Sequence, residues 1–299
     1  MFKPQISIIV LTYNQQDFIA QTLDSLLSQK CSVPYEILVG DDCSTDNTRI
    51  IVNEYITRFP QIIVPLYQDS NIGAARNLVF VAQKARGEII SVCDGDDYWY
   101  SDDVLQMQWD IFNENPEVGL ICAKALCFNQ SNQKYTGVLG SSVAESLYDM
   151  CFYNQDIAAP TNARRRDLFL QCIEDSQWYI DNNKFYDTVI AYWFAHNSKI
   201  RFIDKVTAVY RVRSESACHS NDYNIKLKYQ KRYYEVKWRF LLNHQIEEEK
   251  MYNLLIKDYD ETIKIIEWLA KLQVYNSMSY KVGSVILWPL KKILKLIRK

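Results

Sequence analysis

No Cys-x-x-Cys pair occurs in this chain, although it carries eight cysteines. Structural zinc and thiol–disulfide exchange are therefore disfavoured, and reduced thiols of a cytoplasmic protein are the simplest reading. No run reaches the about 18 consecutive apolar residues that a membrane-spanning helix needs. The stretch from Ile6 to Leu11 is too short for the core of a secretory leader, and Thr12-Tyr13-Asn14 interrupts it at once. The expectation is a protein neither exported nor integral to a membrane. Excess charge of either sign is also missing: the net charge is -2, which argues against a general nucleic-acid binder. Neither G-x-G-x-x-G nor G-x-x-x-x-G-K-[ST] stands near the first apolar run, so a dinucleotide fold and a P-loop are disfavoured.

What the chain does have is enough apolar sequence to fold. With 299 residues, 48% hydrophobic and 23% charged, it suits one large domain or two ordinary ones and excludes a disordered segment. Its most informative stretch is Ile89-Ile90-Ser91-Val92-Cys93, a short apolar run that stops at Asp94-Gly95-Asp96-Asp97 and gives way to Tyr98-Trp99-Tyr100. Such a run reads as a strand covered on both faces, with carboxylates at its carboxyl end, where open α/β sheets bind ligands. Three carboxylates that close repel one another unless a cation intervenes. A hard divalent ion, Mg²⁺ or Mn²⁺, completed by substrate phosphates is the usual neutraliser. A calcium loop of the EF-hand kind is excluded, because Trp99 and Leu105 stand where Gly and Glu are required. Asp102 and Asp103, just ahead of Val104-Leu105, read as helix caps.

Taken in order, the first hundred residues alternate strand and helix. Strands are expected at 6–11, 36–39, 62–66 and 88–93. Helices are expected at 16–28, from Ser44 or Thr45 to about Arg58, and from Ser70 or Asn71 to Arg86. This alternation is the sign of a parallel, doubly wound α/β sheet. It brings Thr12-Tyr13-Asn14, Asp41-Asp42 and the acidic cluster to one sheet edge, where neighbouring strand ends build a nucleotide cleft.

Four segments in register over about a hundred residues then carry a resemblance. Ile8-Ile9-Val10-Leu11-Thr12-Tyr13-Asn14, Val39-Gly40-Asp41-Asp42-Cys43-Ser44-Thr45-Asp46-Asn47-Thr48, Asn71-Ile72-Gly73-Ala74-Ala75-Arg76-Asn77 and Asp94-Gly95-Asp96-Asp97 resemble the family 2 glycosyltransferases. The resemblance spans roughly residues 4 to 215, firmly at first and loosely after about residue 125. It implies a GT-A fold with a mostly parallel nucleotide-binding sheet, a nucleotide-sugar donor, and Mn²⁺ or Mg²⁺ bound through the Asp-x-Asp region. By the same resemblance, Thr12, Tyr13 and Asn14 are donor contacts, with the Tyr13 ring either packed on the base or filling the core. Asp42 accepts from the uracil N3–H, Asp94 binds ribose or supports the cluster, and Asp96 is the first metal ligand, with Asp97 and Asp94 beside it. Arg76 and Asn77 are either donor contacts or helix packing. Cys43 stands where the family often has Gly.

On the acceptor side, Gly119 to Ala123 reads as a strand and residues 129–142 as a polar turn region. Arg164-Arg165-Arg166 either meets a phosphate or an anionic membrane or forms a solvated basic face. The segment Phe185-Tyr186-Asp187-Thr188 has the outline of the family's Glu-Asp segment, with Tyr186 replacing Glu. Asp187 is accordingly the general base, with Asp175 and Asp181 as competitors. Tyr210-Arg211-Val212-Arg213 resembles Tyr-Arg-x-His but ends in Arg213, and Arg211 or Arg213 is expected to face the diphosphate. His219 reads as a surface residue.

The expected organisation is a catalytic domain over 1–215 and a helical extension over 216–299. That extension ends in Leu290–Lys299, whose apolar and basic faces suit a helix lying on an anionic bilayer or an ordinary helix covering the core. The expected activity is inverting, metal-dependent transfer of one sugar from a nucleotide sugar, UDP-linked, to a glycan or lipid-linked acceptor in cell-surface polysaccharide synthesis. The expected setting is cytoplasmic, peripheral on the inner face of the membrane, with self-association of two copies open. The rivals are a sugar-nucleotide nucleotidyltransferase and an inactive carbohydrate-binding relative.

Overall fold

The computed structural model describes residues 3–140, 157–182, 187–213 and 223–244, with 256–257, 259–261, 263–264 and 267. Tyr186, His219, the charge run Glu247–Lys250 and the basic segment Leu290–Lys299 lie outside the described residues. One compact unit holds residues 1–214 and 235–247; a second holds 215–234 and 248–299.

The first unit is built on a sheet that begins as the alternation predicts. Strands β1 (Ile6–Thr12), β2 (Tyr35–Asp41), β3 (Ile63–Tyr67) and β4 (Ile89–Val92) lie in the order β3-β2-β1-β4, all parallel. Helices α1 (Ile19–Leu27), α2 (Thr48–Arg58) and α3 (Ala74–Ala82) make the crossovers. In β1 every residue but Leu11 is buried, as befits a strand covered on both faces. Beyond β4 the pattern changes. β8 (Ala163–Arg165) inserts antiparallel between β4 and β6 (Val118–Asn129), and β9 (Lys199–Val212) runs parallel to β6. Two-residue β5 (Tyr98–Trp99), directly after the acidic cluster, closes the edge antiparallel to β9. Helix α4 (Val104–Glu114) links β5 to β6.

Three local expectations are corrected. The polar region after Asn129 contains a strand, β7 (Lys134–Leu139), antiparallel to β6 and almost wholly exposed. Its polar residues hide the strand from any hydrophobic pattern, and cross-strand contact such as the Phe128–Tyr135 ring pair at 5.2 Å supports it instead. Asp103 occupies the N-cap position of α4 but makes no cap bond. Its carboxylate takes the Lys205 ammonium at 2.8 Å. The helix amides of Val104 and Leu105 donate to Gln29 Oε1 at 3.0 and 3.3 Å, a cap supplied from 75 residues away. Finally, the arginine triplet is not a solvated basic face. Arg164 is buried, Arg165 donates to the carbonyls of Val118, Phe112 and Asn115, and Arg166 donates to that of Ala85.

The sheet's opposite edge is held by a buried polar cluster. Glu36, fully buried, accepts from Ser7 Oγ at 2.7 Å and pairs with Arg86 at 2.5 Å. Gly87 abuts it: a Cβ there would lie 2.5 Å from Ser7 N and 2.6 Å from the carbonyl carbon of Ile6. Since backbone cannot swing aside as a side chain does, Gly87→Ala should cost about 2–3 kcal/mol by forcing β1 from β4. Urea unfolding checks this, and a midpoint equal to wild type would refute it.

Candidate active site

The carboxyl ends of β1, β2 and β4 deliver three polar loops to one edge, and each loop is tied to the next. Thr12 is buried; its carbonyl accepts the Asp42 amide at 3.0 Å, while its Oγ1 has no hydrogen-bond partner. Tyr13 is 45% exposed, which removes the core-aromatic reading and leaves its ring open to a ligand. Asn14, at φ 52°, accepts from the Thr45 amide at 2.8 Å on its side chain and donates its own amide to Ser44 Oγ at 2.9 Å, stitching the first loop to the second. Cys43 takes the left-handed conformation, φ 63°, which glycine adopts at no steric cost.

The two acids after β2 have separate partners. Asp41 pairs with Arg49 at 2.5 Å and accepts the Ser44 amide. Asp42 accepts the amides of Ile72 and Gly73 at 2.8 and 2.9 Å, one on each oxygen, and so anchors the start of α3. Each oxygen keeps a second lone pair for a further donor. In α3, Asn77 is buried and ties the helix to β2 through Gly40 O at 2.8 Å, while Arg76 is exposed.

The acidic loop is clamped from three sides. Gly95 N donates to Leu11 O at 2.8 Å, and Thr22 Oγ1 donates to the carbonyls of Gly95 and Asp97 at 3.0 and 2.6 Å. From β9, the Arg211 amide donates to Asp97 Oδ1 at 2.7 Å and its Nε to Asp96 O at 2.6 Å. The rest of the Arg211 guanidinium is spent on Gln130 and Gln21 and lies 4.7 Å over the Phe18 ring. Arg211 is thus a structural brace, which leaves Arg213 of the two arginines expected to face a diphosphate. Arg213 is the one at the acids, with Nη1 3.2 Å from Asp96 Oδ2. Thr22, Gln21 and Arg211 carried no sequence signal as loop supports, since each acts at long range. Arg211→Ala should cost about 3 kcal/mol, from the charge-assisted hydrogen bonds of the lost guanidinium and the acceptors left unpaired. Arg211→Lys should rescue little, lacking the fork; a loss below about 1 kcal/mol in urea unfolding would refute the brace.

A fourth element faces the loop. Helices α5 (Arg166–Asp175) and α6 (Gln177–Asp181) precede α7 (Asp187–Asn197), whose residues Val189 to Phe194 are all buried. Apolar on every side, α7 is fixed in the interior. Trp193 Nε1 donates to Asp175 Oδ2 at 2.8 Å, and the Phe240 ring packs on Tyr192 at 5.7 Å. Phe240 belongs to α8 (Tyr223–Asn243). Of the competing acids, Asp175 is engaged by Trp193, and Asp181 accepts from Gln177 on the helix surface. Asp187 is exposed at the first position of α7.

Electrostatics tie Asp187 to the acid loop. Burial, then Asp96, then Asp187 push Asp94 up to about 8, and Arg164 pulls it back. Asp97 is raised well above the carboxylate range by burial first, then by Asp96 and Asp94. Burial also raises Asp187, against the pull of Arg164, although its solvent access tempers the shift. Arg164 itself is buried over the Phe169 ring at 4.5 Å, and its Nε and Nη1 have no hydrogen-bond partner. Its strand explains its place: Arg164 pairs with Ile90, so it shares the face of Ile90, Val92 and then Asp94.

Among the described residues no three His, Cys, Asp or Glu side chains form a complete cation cage. A magnesium-type ion needs only one or two carboxylates when substrate phosphates finish its shell. Asp94 and Asp96 stand two residues apart at the end of β4, and burial first, then Asp96 and Asp187, push the Asp94 carboxyl up. Asp97 Oδ1, by contrast, is turned inward onto the Arg211 amide.

The fold is shared with solved structures of low sequence identity. TarS of S. aureus in complex with UDP aligns over 95% of this chain and 75% of its own at a TM-score of 0.56 and 20% identity. The mannosyltransferase PcManGT of Pyrobaculum calidifontis, in complex with GDP-Man and Mn2+, aligns over 99% and 81% at 0.57 and 16%. Both identify the fold as GT-A. In sequence, an uncharacterized protein of Mycobacterium bovis is 28% identical over 72% of this chain, which spans 61% of that relative's length. The putative teichuronic acid biosynthesis glycosyltransferase TuaG of Bacillus subtilis is 37% identical over 34% of this chain and 39% of its own. The poly(ribitol-phosphate) beta-glucosyltransferase of Bacillus spizizenii is 31% identical over 48% of this chain and 21% of its own. The family model for glycosyl transferase family 2 matches residues 7–171, from the first strand through the acid loop and past β8, and the chain belongs to that family.

Proposed function

We propose that the chain is an inverting glycosyltransferase that moves one sugar from a nucleotide sugar, UDP-linked, to a glycan or lipid-linked acceptor in the assembly of a cell-surface polysaccharide. The observation that carries this reading is the approach of one further acid, Asp187, to the pair of acids at the end of β4. Asp94 and Asp96 end a parallel strand, and Asp187 stands near enough on α7 to act on Asp94. The names of the teichuronic acid and poly(ribitol-phosphate) relatives support the acceptor class, and the UDP bound to TarS supports the donor.

In this reading the exposed Tyr13 ring packs on the base, Asp42 accepts its N3–H, and the unpartnered Thr12 hydroxyl finds a donor atom. Asn14 holds the two loops in register. Asp96 and Asp94 are the side chains that hold Mn²⁺ or Mg²⁺, which when bound supplies charge neutralisation for the departing diphosphate. Asp187 accepts the proton of the acceptor hydroxyl as that oxygen bonds to the anomeric carbon and the bond to the nucleotide diphosphate breaks. Attack opposite the leaving group inverts the anomeric centre.

No helix among the described residues is long and apolar enough to cross a membrane. Leu290–Lys299 would then dock a cytoplasmic enzyme on the inner membrane face beside a lipid-linked acceptor. The reading is tested by incubating the protein with UDP-sugars, Mn²⁺ and lipid-linked or polyol-phosphate acceptors. Acceptor-dependent release of UDP supports it, whereas release of UTP in the presence of pyrophosphate would indicate a nucleotidyltransferase.

A further inference from the structure

Strand β7 carries two exposed apolar side chains, Tyr135 at 55% and Val138 at 52%. Three positions apart, they would face opposite sides of a regular strand. Here they share one. Tyr135 pairs with Phe128 of β6 and Val138 with Leu126, and residues two apart on a strand lie on the same face. The register slips between these pairs: Gly137 stands opposite Cys127, and Thr136 is the extra residue with no partner. Bulges of this kind re-aim side chains and gather beside active sites.

That face continues to the acid loop. Leu126 pairs with Val209 of β9 and Phe128 with Arg211, while Val209 pairs in turn with Tyr98 of β5, the residue directly after Asp97. The hydroxyls of Tyr98 and Tyr135 meet at 3.4 Å, reaching across the two strands between β5 and β7. The Arg211 guanidinium lies 5.6 Å from the centre of the Tyr98 ring and 5.8 Å from that of Phe128. The arginine that braces Asp96 and Asp97 therefore seats these rings as well.

A sugar ring suits this surface better than a purely apolar partner does. When one phenol donates to the other, the pair keeps one O–H and several lone pairs free beside its two rings. Burial first, then the Tyr135 hydroxyl, push the Tyr98 phenol up to about 12, so it stays a donor at neutral pH. A saccharide offers the matching combination, a face of C–H groups with a rim of hydroxyls. We propose that Tyr98 and Tyr135, flanked by Val138, form an acceptor subsite that binds a saccharide unit of the glycan beside the one that receives the transferred sugar. The proposal rests on the glycosyl-transfer reading above. The rival occupant is a second copy of the chain, which would use the exposed Tyr135 ring without needing its hydroxyl.

The test is binding, with no turnover needed. An array of bacterial cell-surface glycans of two or more sugar units is probed, in the presence of UDP and Mn²⁺, with the full chain and with its Tyr135→Ala and Tyr135→Phe variants. Wild type should retain at least one such glycan, and Tyr135→Ala should bind it about ten-fold more weakly, the size of a lost ring contact. Tyr135→Phe keeps the ring and should lose only about three-fold, the size of one neutral hydrogen bond; it also guards against misfolding of the alanine variant. UDP affinity, followed by calorimetry, should be equal in all three. An array on which wild type retains no glycan, or glycan affinity unchanged in Tyr135→Ala, overturns the subsite. A dimer in sedimentation that Tyr135→Ala turns into a monomer, with glycan binding unchanged, gives the face to a second copy and overturns it too. Wild-type protein that retains glycan but binds no UDP overturns the nucleotide-sugar reading instead, and leaves the surface as that of a carbohydrate-binding relative.

Discussion

Asp187→Asn should lower sugar transfer by about 10²–10⁴-fold, the usual contribution of a positioned general base, while UDP binding in the presence of Mn²⁺ stays at the wild-type level. The asparagine keeps the size and polarity of the side chain, so α7, fixed by Trp193 and Phe240, has no reason to move. What is lost is the ability to take a proton from the acceptor hydroxyl. The pH dependence carries the same signature. Burial raises the Asp187 carboxyl and Arg164 opposes it, so the base is idle at low pH and becomes active as pH rises through a value above the ordinary carboxylate range. Arg164→Met removes the opposing charge and should shift that acid limb upward. An asparagine variant that transfers sugar at the wild-type rate would remove Asp187 from the chemistry.

Asp96→Ala should also abolish transfer, by a different route: metal-dependent UDP binding falls with it. The variant deletes a half-buried carboxylate of the acid loop and leaves the loop's supports in place, since the Asp96 contact to Arg211 is through its backbone carbonyl. It also takes a negative charge from beside Asp94, whose carboxyl should move back down from about 8. The pair of variants therefore separates the roles, with Asp187→Asn blocking chemistry after binding and Asp96→Ala blocking binding. Equal Mn²⁺ affinity in wild type and Asp96→Ala would overturn the ligand assignment.

The half of the molecule built on β1 to β4 was legible because its information is local. Each of β1 to β4 is an apolar run that ends at a polar cluster, and parallel packing places such ends together whatever the rest of the chain does. The half after β4 resisted because its determinants are distant partners. Nothing around Asp103 indicates that Gln29 would cap α4 instead, and nothing in Arg164-Arg165-Arg166 tells an interior triplet from a solvated one. β8 is three residues long and antiparallel, too short for a periodicity. Arg211 and Arg213 are two residues apart in one motif, yet one is a brace and the other a half-buried partner of Asp96; only their hydrogen bonds distinguish them.

The account depends most on Asp94 and Asp96 gripping a cation that in turn grips a nucleotide diphosphate. A crystal of the protein grown with Mn²⁺ and UDP, measured at the manganese edge, tests this directly. The account predicts an anomalous peak bonded to Asp96 and to the diphosphate, with the uracil between Tyr13 and Asp42. Manganese and nucleotide bound elsewhere, with Asp96 still paired to Arg213, would contradict it.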